Sequence, residues 1–129
     1  MSEKFQIINA SAGSGKTFAL ATNVIIRILK GNEDSFKKIL ALTFTNNSAN
    51  EMKKRILEDL KQISIDPSKS LIFRSSNLNK LFTIDSIKPK AKKVLNKILH
   101  NFSFFQVSTI DKFNHRLIRS FSSDLSLSH

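Results

Sequence analysis

The sequence contains no cysteine, which excludes disulfide staples and any metal site built on thiolates. Its three histidines, His100, His115 and His129, are scattered and do not form a ligand cluster. It has no run of about 18 apolar residues, so a membrane-spanning helix is not expected. The N-terminus lacks a basic flank followed by an apolar stretch and a cleavage site. A cytoplasmic protein with no membrane association is the expectation. Acidic residues are also scarce, 10 Asp and Glu against 21 Lys and Arg, and the formal charge is +11. Such an excess points to a polyanionic partner. An AT-rich coding sequence inflates Lys, Asn, Ile and Ser in the same way, so charge supports this reading without deciding it.

What is present suffices for one domain: 129 residues, 40% of them hydrophobic, can bury a core. Residues 5–8 form a short apolar run leading into small residues and glycines, the pattern of a buried strand ending in a tight loop. From residue 16 to 29 the period turns helical, with Phe18, Leu20, Val24, Ile25, Ile28 and Leu29 covering most of the circumference before Gly31. Residues 38–44 (KILALTF) read as a second buried strand. Residues 48–63 read as a helix opened by a capping box at Ser48 and Glu51.

Residues 64–86 are polar and weakly periodic, a connecting insertion with short helices near residues 71–73 and 78–82. Pro89 suits a first helical turn. After it, Ala91, Val94, Leu95, Ile98 and Leu99 form an apolar stripe opposite Lys90, Lys93 and Lys97, whose face reads as solvated helix surface. Residues 104–108 are a third strand candidate and residues 111–121 a closing helix. This alternation predicts an α/β fold, a parallel sheet with helices on its faces. It divides the chain into residues 1–63, a helical insertion at 64–101, and a third strand and helix at 102–129.

Ala10-Ser11-Ala12-Gly13-Ser14-Gly15-Lys16-Thr17 matches the Walker A pattern except that alanine replaces its first glycine. Gly13 and Gly15 permit backbone geometries barred to residues with a Cβ, so successive N–H groups can turn inward around phosphate oxygens. A helix beginning near Lys16 aims its positive end at the same anion. Lys16 would neutralise β- and γ-phosphate charge, and the Thr17 hydroxyl would ligate Mg2+. A glycine-containing turn with a chance lysine is the bland reading. The strand before the loop and the helix after it favour ATP with Mg2+, and any metal should arrive with the nucleotide.

Three blocks in this order resemble the UvrD/Rep-like superfamily 1 DNA helicases: the loop ASAGSGKT, the segment ILALTFTNNSANEMKKRI at residues 39–56, and FQVSTIDKF at 105–113 continuing through Arg119 to Phe121. The first and third look most similar to the RecB/AddA-like exonuclease V beta subunits. The resemblance implies a P-loop, RecA-like partial sheet and an ATP-dependent motor acting in DNA repair or recombination, with a nuclease or helicase partner subunit. It also implies that Thr43, Phe44, Thr45 and Asn46 touch single-stranded DNA, Phe44 by stacking on a base. Thr109 and Asp111 would lie beside the same strand, where a helix start can hold phosphate. The bland readings are core filling for Phe44 and helix capping for Thr109 and Asp111.

The chain departs from the family in three places. Asn47 stands where lysine is common, which weakens one phosphate contact; Asp111 stands where many relatives have histidine; and Gln6 lies in a strand rather than in a separate adenine-reading segment. No Asp-Glu pair follows an apolar run, and Glu33-Asp34 reads as a solvated turn. Hydrolysis also needs an acidic pair and arginines from a second lobe. The expectation is therefore a truncated segment, not hydrolytic alone, with unpaired sheet edges and uncovered apolar faces. Two other readings remain: a non-enzymatic nucleic-acid-binding remnant, and an unrelated small P-loop NTPase.

Overall fold

A computed structural model describes the backbone of residues 6–9 and 14–126 and the side chains of residues 18–125. Its frame is a parallel sheet of β1 (Gln6–Asn9), β2 (Ile39–Thr43) and β3 (Gln106–Thr109), in that spatial order. Gln6 pairs with Ile39 and Asn9 with Leu42; Leu40 pairs with Gln106 and Thr43 with Thr109. All five residues of β2 are buried, as a central strand of a parallel sheet requires. The α/β class and the parallel sheet expected from the alternation are both present.

The strands are linked by α1 (Ser14–Lys30), α2 (Asn46–Ile65), the short α3 (Leu71–Ser75) and α4 (Leu78–Leu81), and α5 (Ile84–His100); α6 (Ile110–Ser126) follows β3. One apolar cluster joins α1, α2 and α5 to the sheet. Ala49, Met52, Ile56, Leu60 and Ile63 recur at helical spacing on α2 and meet Leu20, Val24, Ile25 and Ile28 of α1 and Ile87, Ala91, Val94 and Ile98 of α5. Ile39, Ala41 and Val107 join from the sheet. Each fully buried aliphatic side chain is worth about 1.5–3 kcal/mol relative to an exposed one, so this cluster is the main source of stability. Residues 66–83, between the end of α2 at Ile65 and the start of α5 at Ile84, hold only short helices. Pro67, Ile72, Phe73 and Leu78 pin this segment to the core.

Several boundaries differ from expectation. The N-cap of α2 is Thr45, whose Oγ1 accepts from the Ser48 N–H at 3.0 Å. Ser48 thus lies inside the helix, and the Ser48/Glu51 capping box does not form its start. Helix α5 begins before Pro89, with a capping box between Thr83 and Ser86. Pro89 therefore sits inside the helix, where it cannot donate to the Asp85 carbonyl; both residues are exposed, so water can satisfy that carbonyl. Leu99, assigned to the apolar stripe, is exposed. Phe104 belongs to a 3-10 turn (Phe102–Phe104) rather than to β3.

The lysine face of α5 is engaged, not simply solvated. Lys90 Nζ donates to the Gly31 carbonyl, Lys93 lies 3.8 Å from Glu33, and Lys97 lies 3.5 Å from Glu33 and 3.8 Å from Asp34. This ties the turn after α1 to α5. Gly31 is required there for space, since a Cβ would collide with Ser35 Oγ and come within 2.7 Å of Ser35 Cβ. Helix α6 leaves Leu117, Ile118, Phe121 and Leu125 exposed.

Candidate functional site at the carboxyl edge of the sheet

Because all three strands run parallel, their carboxyl ends lie along one edge, which is where ligands collect in open α/β sheets. Three sequence-predicted blocks therefore converge. Strand β1 ends at Asn9 and α1 begins at Ser14, placing the backbone of Gly15, Lys16 and Thr17 in the first helical turn. Ala10, Ser11, Ala12 and Gly13 of the phosphate loop lie outside the described residues, as do the side chains of Ser14, Lys16 and Thr17. The first turn of α1 contains no acidic residue, so no carboxylate within that turn offsets its positive dipole end. That environment fits a triphosphate.

The second block leaves β2 at Thr43. Its side chain is 1% exposed, and its Oγ1 donates to the Thr45 carbonyl at 3.1 Å and lies 3.5 Å from the Ser108 carbonyl. Phe44, the next residue, is 57% exposed. Alternation does not explain the contrast, since Leu40 and Leu42 on the face of Phe44 are buried. Phe44 lies past the end of β2, in the bend before α2, where it is no longer flanked by the neighbouring strands. It does not pack in the described apolar cluster. Thr45 and Asn46 are exposed beside it, Thr45 also serving as the α2 cap.

In the third block, Thr109 is 4% exposed and its Oγ1 accepts from the Lys112 N–H at 3.1 Å, capping α6. Asp111 is exposed in the first turn of α6, where a carboxylate is favoured by the helix dipole. The buried hydroxyls of Thr43 and Thr109 thus hold the edge together from inside. Phe44, Thr45, Asn46 and Asp111 present its outer surface.

A basic groove borders this edge and was not singled out from the sequence. It occupies about 540 Å3 between α2, β3 and α6, with Lys53, Lys112, Arg116 and Arg119 in its lining alongside Phe102 and Ser108. Burial pulls the Lys53 ammonium below its ordinary value, and the positive charges of Lys112 and Arg116 push it the same way. The i, i+4, i+7 spacing of Lys112, Arg116 and Arg119 was a visible signal of one helix face. That Lys53, far away in sequence, joins them was not visible. Among the described residues no group of three His, Cys, Asp or Glu could hold a metal ion. None of the described helices is long and apolar enough to cross a membrane.

The architecture defines a parallel α/β protein whose strand-to-helix turn and two further strand ends share one edge. The chain belongs to the UvrD/REP helicase N-terminal domain family, which it matches over residues 2–129. It is 36% identical to the RecBCD enzyme subunit RecB of Chlamydia trachomatis over 121 residues, 94% of this chain and 11% of that protein. The RecB subunit of Chlamydia muridarum is 48% identical over 62 residues, 48% of this chain and 6% of that protein. An ATP-dependent helicase/nuclease subunit from Streptococcus uberis is 30% identical over 112 residues, 87% of this chain and 8% of that protein. The chain thus spans between 6% and 11% of the length of these relatives. No solved structure matches it.

Proposed function

We propose that this chain forms the ATP-binding part of a cytoplasmic ATP-dependent DNA helicase or translocase of repair or recombination, working with a nuclease or helicase partner subunit. The observation that carries the reading is that the end of β1 and the start of α1, which flank the Walker A segment, share one sheet edge with Phe44 and the start of α6. The backbone N–H groups of residues 10–16 would cradle the phosphates, Lys16 would neutralise their charge, and the Thr17 hydroxyl would ligate Mg2+. Bound Mg2+ supplies charge neutralisation between the phosphates. Phe44 would stack on a base of single-stranded DNA, with Thr45, Asn46 and the amide end of α6 near Asp111 meeting its backbone. Thr43 and Thr109 act as positioning residues beneath them.

None of the three strands described ends in an Asp-Glu pair that would position an attacking water, and on this reading the chain by itself binds nucleotide and DNA without turnover. Calorimetry with ATP or ADP tests the reading: a magnesium-dependent heat is expected, and its loss in Lys16→Ala. Folded wild-type protein that gives no such heat overturns nucleotide binding. DNA binding that survives Lys16→Ala, with no nucleotide affinity in the wild type, identifies a nucleic-acid-binding remnant instead. Phosphoryl transfer to a small molecule in the absence of DNA identifies an unrelated P-loop NTPase.

A further inference from the structure

We propose that the groove between α2 and α6 along β3 binds the phosphate backbone of single-stranded nucleic acid and carries the strand onward from Phe44. This rests on the DNA-binding reading above and extends it to a surface that reading does not use. Four cations, Lys53, Lys112, Arg116 and Arg119, line one groove, and among the described residues none has a carboxylate within ion-pair distance. Like charges brought together on folding repel one another, and an anion seated between them relieves that repulsion. Burial lowers the Lys53 ammonium most, and the neighbouring charges of Lys112 and Arg116 lower it further.

Two further features choose the kind of anion. Phe102 is exposed at the groove, and Lys53 Nζ lies 5.8 Å from its ring centroid. An aromatic face beside cations suits a nucleobase with its phosphate, whereas an acidic protein segment would use only the charge. The groove also begins where the candidate DNA edge ends. Arg116 donates to Ser108 Oγ at 3.2 Å, Ser108 pairs with Leu42, and the Ser108 carbonyl lies 3.5 Å from Thr43 Oγ1, one residue before Phe44. On α6, Lys112, Arg116 and Arg119 follow one another along a single face, so a strand leaving Phe44 meets successive positive charges.

Fluorescence anisotropy with a labelled oligothymidine, measured over a range of salt concentrations, tests this. The triple variant Lys53→Gln/Lys112→Gln/Arg116→Gln should flatten the slope of log affinity against log salt by about 2, since each lost phosphate contact on a single strand is worth about 0.7. Affinity near physiological salt should fall by about tenfold or more, with circular dichroism and melting unchanged. Restoring charge with Lys53→Arg/Lys112→Arg/Arg116→Lys should retain the slope. Should the triple variant fail to fold, the exposed single changes Lys112→Gln and Arg119→Gln should each lower the slope by about 0.7.

An unchanged slope, with binding still weakened by Phe44→Ala, overturns the groove and leaves the DNA-binding edge standing. Polyglutamate competing as well as unlabelled oligothymidine overturns it in favour of an acidic protein. Wild-type protein that binds Mg-ATP but no oligothymidine overturns the groove together with the DNA contacts, while the nucleotide site stands.

Discussion

Thr43 and Thr109 are register partners at the carboxyl ends of β2 and β3, both buried and both with hydroxyls committed to neighbouring backbone. The pair fixes two departures from the sheet at once. Thr43 sets the turn that pushes Phe44 outward, and Thr109 starts α6 beside it. Both side chains are buried, so the exposed part of this edge is formed by Phe44 and the first turn of α6.

This division of labour separates stability from binding. Thr109→Val removes a helix cap and should cost about 1 kcal/mol, read as a lower urea midpoint. Phe44→Ala removes an exposed ring and should change stability by less than about 0.5 kcal/mol. Its effect should appear in oligothymidine anisotropy, as a loss of about 1–3 kcal/mol of binding energy. A Phe44→Ala protein that melts early but binds normally would show the ring to be structural.

Pro89 is a site where the fold carries a removable cost. It lies inside α5, downstream of the Thr83/Ser86 capping box, and leaves the Asp85 carbonyl without its helical donor. Pro89→Ala restores that donor and improves helix propensity, partly offset by a freer unfolded chain. The expected result is a gain of about 1–2 kcal/mol in urea unfolding. A loss of stability would mean that the ring supports packing that the exposed surface of Pro89 does not suggest.

Asp59 gives a pH dependence of defined sign. Burial raises its carboxyl above the ordinary 3.8, more than Arg55 lowers it, and Asp59 Oδ2 and Arg55 Nε both lack hydrogen-bond partners. Between the ordinary value and the raised one, the folded state holds more protons than the unfolded state, so stability falls as pH rises through that window. Asp59→Asn should remove this fall. Relative to wild type, the variant's melting temperature should be higher at about pH 7 than at about pH 3. An equal difference at both pH values would show that Asp59 titrates normally in the fold.

The short-range features were legible in advance. The burial of α1 followed from the helical spacing of Leu20, Val24, Ile25, Ile28 and Leu29, and the small helices α3 and α4 were found near residues 71–73 and 78–82. Misjudged boundaries had local causes. Ser48 and Glu51 mimicked a capping box because Ser48 is the third helical residue and partners Thr45. Pro89 looked like a first-turn proline because the earlier cap, Thr83 with Ser86, lies in a polar stretch that resembles a loop. The α5 lysines looked solvated because their partners, Gly31, Glu33 and Asp34, are more than fifty residues away in sequence.

By itself the sequence determined the Walker A pattern at residues 10–17, the succession of strands and helices, and the family. Those depend on residue type and on spacing within a few turns of chain, where backbone geometry and hydrophobic period act directly. Only the tertiary structure decided which strands are neighbours, that Thr43 is enclosed while Phe44 is not, and that Lys53 joins the cations of α6. These outcomes arise when distant segments exclude water from one another, and the cost or gain of that exclusion is not written in any single stretch of residues.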